Sequence, residues 1–473
     1  MSEKLLKLVE LVNSFVWGPP IIVLILGTGI YMTVRTKFFT FTKLGFIMKN
    51  TLLNAFSPEG RASSGEGEIT PFQAMSTALA GTLGTGSIAG VATAITLGGP
   101  GAIFWMWISA LFGMATKYSE VVLSIQYREV NEHGSYVGGP MYYLKNGLKS
   151  NKLAAMFTIC ASIAALGTGN MVQSNAIAQS LDVTFGFNKT IVGIVLAVLV
   201  GFALVGGLKR IASITEKLVP LMALLYVGGG LLVIILNFSK VPAAFATIFS
   251  LAFKPQAAVG GFAGSTMALA MRAGIARGIF SNESGLGTAP IAHAPASVDH
   301  PVKQGLWGVF EVFMASVVVC TMTALAIVIS GTWKGDLSGA ALTTEAFTQT
   351  LPGKMGGYIV SIGLLFFALS TILSWSYYGE VCLEFLFGEK IKKVYRAIWI
   401  PLVAVGAVSK LDLLWGASDI FNGLMVIPNL IGVLGLSKVV RSLTMEYFSA
   451  VKEEKLKKKQ KTVDDEAYAK ERL

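Results

Sequence analysis

Between residues 69 and 116 the chain carries no charged side chain at all. Further uncharged stretches cover 11–34, 153–181, 190–208, 218–239, 312–333 and 355–379. A helix that crosses a bilayer needs roughly 20 mainly apolar residues. Each stretch is therefore long enough to cross once, and the 69–116 stretch long enough to cross twice. Leu97-Gly98-Gly99-Pro100-Gly101 supplies the turn that divides it. Composition agrees: 53% of residues are hydrophobic and 14% charged, where a soluble domain carries about 25% charged residues. The pattern is that of a polytopic membrane protein. It excludes disordered, collagenous and disulfide-stapled secreted chains.

Breaking the apolar runs at turns and charges predicts eleven spans, at 14–34, 70–95, 100–124, 153–178, 190–208, 217–237, 262–292, 305–332, 356–380, 396–410 and 412–437. Positive charge then orients them. With the C-terminus in the cytoplasm, the inner segments hold Arg35, Lys37, Lys43, Lys49, Arg61, Lys117, Arg128, Lys145, Lys149 and Lys152, with more at 209–217, 303 and 390–396. The outer segments hold fewer than half as many, Lys4, Lys7, Lys189, Lys240, Lys254, Lys334, Lys354 and Lys410. The N-terminus is then outside. Lys4 and Lys7 precede an apolar run too long for a secretory leader, with no small-residue cleavage site after it, so the run reads as a retained helix. The tail at 438–473 is basic and reads as a solvated cytoplasmic end near anionic lipid, with no role toward nucleic acid. Cys160, Cys320 and Cys382 lie in apolar stretches and read as small buried side chains.

Two segments look alike. Ser76-Thr77-Ala78-Leu79-Ala80-Gly81-Thr82-Leu83-Gly84 resembles Ser265-Thr266-Met267-Ala268-Leu269-Ala270-Met271-Arg272-Ala273-Gly274 after a one-residue gap. They lie five spans apart, so they cross the membrane in opposite directions. That is the pattern of an inverted repeat, 70–237 against 262–437, with 1–36 as an extra first helix. Each copy is followed by helix-breaking sequence: Gly81, Gly84, Gly86 and Gly90 in one, Gly274, Gly278, Gly285 and Gly287 in the other. Close packing through small residues is one reading. Unwinding near the midplane is the other. It exposes N–H groups suited to a carboxylate and carbonyls suited to an ammonium group or Na⁺, and lipid tolerates it only around a polar cavity.

Polar residues within spans are the remaining candidates. Asn170 and Gln173 stand three apart and share a helix face, as pocket amides or as interhelical bonds. Ser370, Thr371 and Ser374 put hydroxyls at mid-span, as hard ligands for a cation or as partners of their own helix. Trp375 walls a pocket or faces lipid. Arg272, Arg277 and Glu283 are read as the charges well inside a span, lining a path or forming an Arg–Glu pair. His293 and His300 suggest no metal site.

The run from Gly98-Gly99-Pro100-Gly101-Ala102 through Phe104-Trp105-Met106-Trp107 to Gly113 resembles the signature of the alanine/glycine:cation symporter family, also called sodium:alanine symporters. Gly81-Thr82-Leu83-Gly84-Thr85-Gly86-Ser87 and Phe280-Ser281-Asn282-Glu283-Ser284-Gly285-Leu286-Gly287 are similar to the family too. The resemblance implies an all-α integral membrane protein of about 11 transmembrane helices, with the leucine-transporter-type 5+5 inverted repeat preceded by one helix. It implies Na⁺-coupled symport of alanine or glycine across a prokaryotic plasma membrane, with no cofactor beyond Na⁺ as coupling ion. Carried over, Gly84 and the amides of Thr85, Gly86 and Ser87 hold the carboxylate. Carbonyls near Thr82 and at Ala273, Gly274 and Ile275 take the ammonium, and Asn170, Gln173 and Trp375 close the pocket. The cation sits between the carbonyls of Ala80 and Leu83 and the residues Ala368, Ser370 and Thr371. A proton-coupled symporter using Glu283 is the runner-up. A channel lacks a filter or charge ring, and an enzyme lacks a nucleophile, metal cluster or acid pair.

Overall fold

The computed structural model describes residues 2–53, 65–254, 266–409 and 412–471. Arg61, Ser265 and Lys410 lie outside them. The chain is almost entirely helical. In order, the principal helices are α1 (Ser2–Val16), α2 (Pro19–Arg35), α3 (Pro71–Thr82), α4 (Ala89–Gly98), α5 (Ala102–Gln126), α6 (Asn151–Ala164), α7 (Val172–Phe185), α8 (Lys189–Val205), α9 (Gly207–Leu236) and α10 (Val241–Leu251). There follow α11 (Met267–Asn282), α12 (Ala289–His293), α13 (Pro301–Val312), α14 (Cys320–Ser330), α15 (Gly339–Thr350), α16 (Met355–Phe387), α17 (Ile391–Val408), α18 (Asp412–Gly435) and α19 (Ser437–Glu471). A small hairpin, β1 (Glu129–Val130) with β2 (Tyr136–Val137), is antiparallel. Among the described residues six helical stretches are long and apolar enough to cross a membrane, with shorter apolar helices beside them. Large exposed side chains such as Leu224, Val205 and Phe202 cover the outside of α8 and α9, as a lipid-facing surface requires.

Every predicted span overlaps a helix, and the divided ones carry the information. The second span is two pieces, α3 and α4, and the seventh is α11 and α12. Local sequence sets their ends. Thr70 and Gln73 form a reciprocal capping box ahead of Pro71, and Thr266 caps α11 by accepting from the Leu269 N–H. α3 stops where Leu83 leaves the helical region, and a single 3₁₀ turn, Thr85–Ser87, bridges to α4. The helix of the fourth span carries a π turn at Ala165–Met171 between α6 and α7.

α11 packs on α4 and α5, α13 on α5, α3 on α9 and α16, and α7 on α16. α16 threads both large apolar cores, one built with α5, α6 and α18, the other with α3, α4, α9 and α14. The three cysteines are buried. The tail at 438–473 is a helix at its start, not a free segment: Thr444 lies 2.7 Å from the hydroxyl of Tyr118 on α5.

On the hairpin side the two broken spans are tied together, beside a cavity of about 560 Å³ lined by Tyr136, Tyr377, Glu380 and Arg396. The segment before α3 and the segment after α12 pair through an Ile69–Ala296 bridge, with the Ser297 N–H donating to the Ile69 carbonyl at 2.8 Å and the Glu68 N–H to the Pro295 carbonyl at 2.8 Å. Arg128 clamps both strands. Its guanidinium donates to the carbonyls of Ala294 (3.0 Å), Ala296 (2.8 Å) and Glu66 (2.8 Å). Partial burial pulls the Arg128 guanidinium below its ordinary range.

Candidate substrate and cation site

The two breaks face one another around a small cavity. Gly81, Thr82, Gly84 and Gly86 line it from α3 and its unwound end, and Phe280, Glu283 and Leu286 from α11 and its break. Thr168 and Gln173 come from the fourth span, Thr371 and Trp375 from α16, and Asn422 from α18. Its volume is about 20 Å³, the room of roughly one water molecule. A second cavity of about 540 Å³ opens on the face away from the hairpin. Phe280 lines both cavities, so its ring is the partition between them. Thr85, Arg277 and Trp415 belong to the larger one.

The first break offers a free donor. The Thr85 N–H donates to Gln173 Oε1 at 3.3 Å and the Ser87 N–H to the Gly84 carbonyl at 3.3 Å. Among the described residues the Gly86 N–H, at the start of that 3₁₀ turn, has no hydrogen-bond partner. Gln173 is fixed by donating to Thr168 (3.0 Å) and Thr85 Oγ1 (3.3 Å). Opposite, Asn422 donates to Thr168 Oγ1 at 2.8 Å, and its own Oδ1 is buried without a partner. A buried acceptor left unpaired costs free energy until something donates to it. Gly86 and Asn422, which carry these unpaired groups, both line the cavity.

The second break is built differently. α11 ends at Glu283, whose φ of 53° lies in the left-handed region, and Gly285 (91°) and Gly287 (83°) continue there. The Glu283 carboxylate accepts from the Trp375 indole (3.0 Å) and from Thr288 Oγ1 (2.7 Å). Asn429 on α18 donates to the Gly285 carbonyl at 2.8 Å and holds the unwound strand.

Beside the first break, oxygens crowd between α3 and α16. Thr371 Oγ1 lies 3.0 Å from the Ala80 carbonyl and 3.4 Å from that of Gly81, and Ser370 Oγ lies 3.3 Å from the Ala80 carbonyl. Both hydroxyls are 2.9 Å from the Phe367 carbonyl. Two hydroxyl protons cannot serve all these contacts at once, since each hydroxyl has one proton. A cluster with more acceptors than protons suits a hard cation. Among the described residues no group of His, Cys, Asp and Glu is arranged for a metal ion.

Four expectations need correction. Ala273, Gly274 and Ile275 are not at the break but within unbroken α11. A Cβ on Gly274 would run into the Ala102 carbonyl, so that glycine serves close packing against α5. The described part of the matched segment, Thr266–Gly274, therefore lies well before the second break and does not mark it. Asn170 does not reach the cavity. It donates to the Trp399 carbonyl of α17 at 2.9 Å, because the π turn rotates it off the face of Gln173. Ala368 is one residue out of register, since Phe367 supplies the carbonyl that meets both hydroxyls. Ser87 pairs with Ser281 at 3.0 Å between the broken helices, outside the cavity lining. Leu83 is the residue at which α3 ends, three positions after Ala80.

The intramembrane charges also differ. Arg272 and Arg277 make no pair with Glu283; Arg272 donates to the Ser14 carbonyl at 3.2 Å, and Arg277 stands over the Phe280 ring at 5.9 Å. The buried charges that sequence reading missed include Lys117, Glu120 and Glu311, with Glu380, Glu384 and Asp419. Lys117 was counted with the inner loop; it is fully buried, and its ammonium lies 3.2 Å from Glu311 Oε1. The uncharged runs end beside these residues, yet α5 and α13 continue through them. Thr168, Phe280, Leu286 and Asn422 were missed as cavity residues, and nothing in their local sequence sets them apart.

Comparison with known proteins agrees with this geometry. Residues 2–462 match the family described as the sodium:alanine symporter family. The chain belongs to that family. It is 48% identical to the sodium/alanine symporter AgcS of Methanococcus maripaludis, over 93% of this chain and 97% of that protein. It is 38% identical to a probable sodium/glutamine symporter, GlnT, of Bacillus subtilis, over 94% and 91%. Among solved structures, it is similar to MhsT in complex with L-phenylalanine (TM-score 0.55, 13% identity, 81% of this chain and 99% of that chain). A Na⁺-coupled sialic acid symporter is similar too (TM-score 0.55, 14% identity, 89% and 86%). The fold is the leucine-transporter type, and this member of the family is a multi-pass membrane transporter, not an enzyme. Its coupling ion is Na⁺ and its cargo an amino acid.

Proposed function

We propose that the chain carries small neutral amino acids, alanine and glycine, into the cell together with Na⁺ by alternating access. The observation that carries this reading is the pair of unsatisfied groups on residues lining the small cavity. The free Gly86 N–H faces a carboxylate, and the orphan Asn422 Oδ1 faces an ammonium group. Backbone at Thr82, Gly84 and Thr85 frames the carboxylate side, and Gln173 and Trp375 close the walls. At about 20 Å³ the cavity must widen to admit any amino acid, and the Phe280, Leu286 and Trp375 walls around it favour a small side chain over that of glutamine. Na⁺ sits among the Ala80 and Leu83 carbonyls, the Phe367 carbonyl and the hydroxyls of Ser370 and Thr371. Its binding stiffens the end of α3 and so raises amino-acid affinity; linkage makes the effect reciprocal.

We read the 540 Å³ cavity beyond Phe280 and the Arg128 clamp as an outward-facing state, with Phe280 as the inner partition of the vestibule. In the cycle, Phe280 yields to admit the substrate, and the Arg128 clamp then releases for discharge to the cytoplasm. On this reading the chain crosses eleven times, with the basic tail inside and the N-terminus therefore outside. The segments 70–237 and 262–437 are the two repeats, preceded by the helix within 1–36. Uptake of labelled alanine into proteoliposomes, with unlabelled glycine, serine and glutamine as competitors, tests the reading. Competition by glycine but not glutamine is expected. Equal competition by glutamine would contradict the cavity argument.

A further inference from the structure

Glu311 lies outside the cavity lining, yet it touches both broken helices. Its side chain is fully buried on α13. Oε1 accepts from Thr82 Oγ1 at 2.5 Å and from the Lys117 ammonium of α5 at 3.2 Å. Oε2 lies 3.2 Å from Nε2 of His293 on α12. His293 is fixed in turn by Gln304, 2.7 Å from Nδ1, and Gln304 also donates to the Pro71 carbonyl at the start of α3. Thr82 is the last residue of α3 and lines the cavity. Its hydroxyl could bond only its own helix, at the Ala78 carbonyl 3.0 Å away, but its single proton meets Glu311 at the shorter distance. Hydroxyl-to-carboxylate bonds of this length are among the strong ones.

A buried carboxylate of this kind is costly unless paired, and Lys117 pairs it from inside the protein. We infer that Glu311, with Lys117 as its resident counter-charge, is a positioning residue that holds the end of α3 in its substrate-binding geometry and ties it to α12. The inference rests on the reading that the end of α3 receives the substrate. In that geometry the Thr82 hydroxyl stands between the Ala78 carbonyl of its own helix and Glu311 on α13, and so ties the end of α3 to α13. This keeps the last carbonyls of α3 turned to the cation and the following N–H groups turned to the cavity.

The test is a cycle of Thr82→Val, Glu311→Gln and the double variant, with alanine half-saturation and maximal uptake measured separately. Each single variant is expected to raise alanine half-saturation roughly tenfold and leave maximal uptake within about twofold. The double variant should be no worse than either single, because both remove one interaction. Multiplying effects, or an unchanged half-saturation in folded Glu311→Gln protein, would overturn the role. If Glu311→Gln does not reach the membrane because Lys117 is left unpaired, Glu311→Gln combined with Lys117→Met takes its place. Hydrogen exchange of the backbone around 79–87 in ligand-free protein gives a readout independent of transport. Faster exchange in Thr82→Val and in the Glu311 variant supports the inference, and unchanged exchange in both overturns it even if alanine proves not to be the cargo.

Discussion

In the first broken helix the chain gives way between Leu83 and Ile88, inside the cluster of Gly81, Gly84, Gly86 and Gly90. In the second it runs unbroken past Gly274 and Gly278 and gives way only at Glu283, where Gly285 and Gly287 take positive φ. The two regions carry similar glycine densities and use them differently. Gly274 and Gly278 keep helical geometry and let α11 approach α5: the Ala102 carbonyl and Met106 occupy the space of a side chain. Gly84 and Gly86 also leave room, but for groups of the site. A Cβ at Gly84 would lie 2.8 Å from Thr371 Oγ1 and 3.2 Å from Gln173 Oε1, and one at Gly86 would lie 3.0 Å from the Phe280 ring. A glycine in a membrane helix thus marks either a packing contact or a binding surface, and the difference lies in what faces it.

Substitutions separate the two uses. The largest effect is expected at Gly274→Leu, which drives a side chain into the backbone of α5 and should leave no folded protein in the membrane. Size-exclusion chromatography of detergent extracts checks this, and a monodisperse variant that still takes up alanine would reverse the assignment. Gly86→Leu should fold and lose alanine binding, because its side chain fills the space beside the free N–H and Phe280; calorimetric titration of purified protein reads it out. Thr371→Ala should raise the Na⁺ concentration for half-maximal uptake about tenfold, a loss of about 1.4 kcal/mol, with a smaller effect on maximal uptake. An unaltered Na⁺ dependence would remove Thr371 from the cation site. The smallest effect is expected at Asn170→Ala. It frees the Trp399 carbonyl and should cost about 1 kcal/mol of thermal stability while leaving alanine half-saturation within about twofold.

Much of this was legible in the sequence for a physical reason. The span pattern follows from apolar length alone, and the first break from glycines dense enough to end a helix. Thr82, Gly84, Gly86, Gln173, Thr371 and Trp375 do converge on one cavity, and Ala80 does meet Ser370 and Thr371. The second break was legible in Gly285 and Gly287, but the ammonium carbonyls were placed too early, at 273–275, because α11 runs on to an acidic residue in the left-handed region, Glu283. Asn170 was misjudged because spacing of three implies a shared face only in a regular helix, and a π turn intervenes. Asn422 was invisible because its meaning depends on a partner 254 residues away in sequence, Thr168. Lys117 and Glu311 were taken as ends of uncharged runs, whereas each neutralises the other inside the bundle.

The central claim is that the oxygen cluster between α3 and α16 couples Na⁺ to the amino acid held at the first break. Labelled alanine uptake into liposomes containing the purified protein, with inward Na⁺ and H⁺ gradients imposed separately, tests it most directly. Accumulation above equilibrium under the Na⁺ gradient, and none under the H⁺ gradient alone, is the predicted result. Accumulation driven by H⁺ alone would contradict the account and move the coupling site from Thr371 to the Glu283 carboxylate.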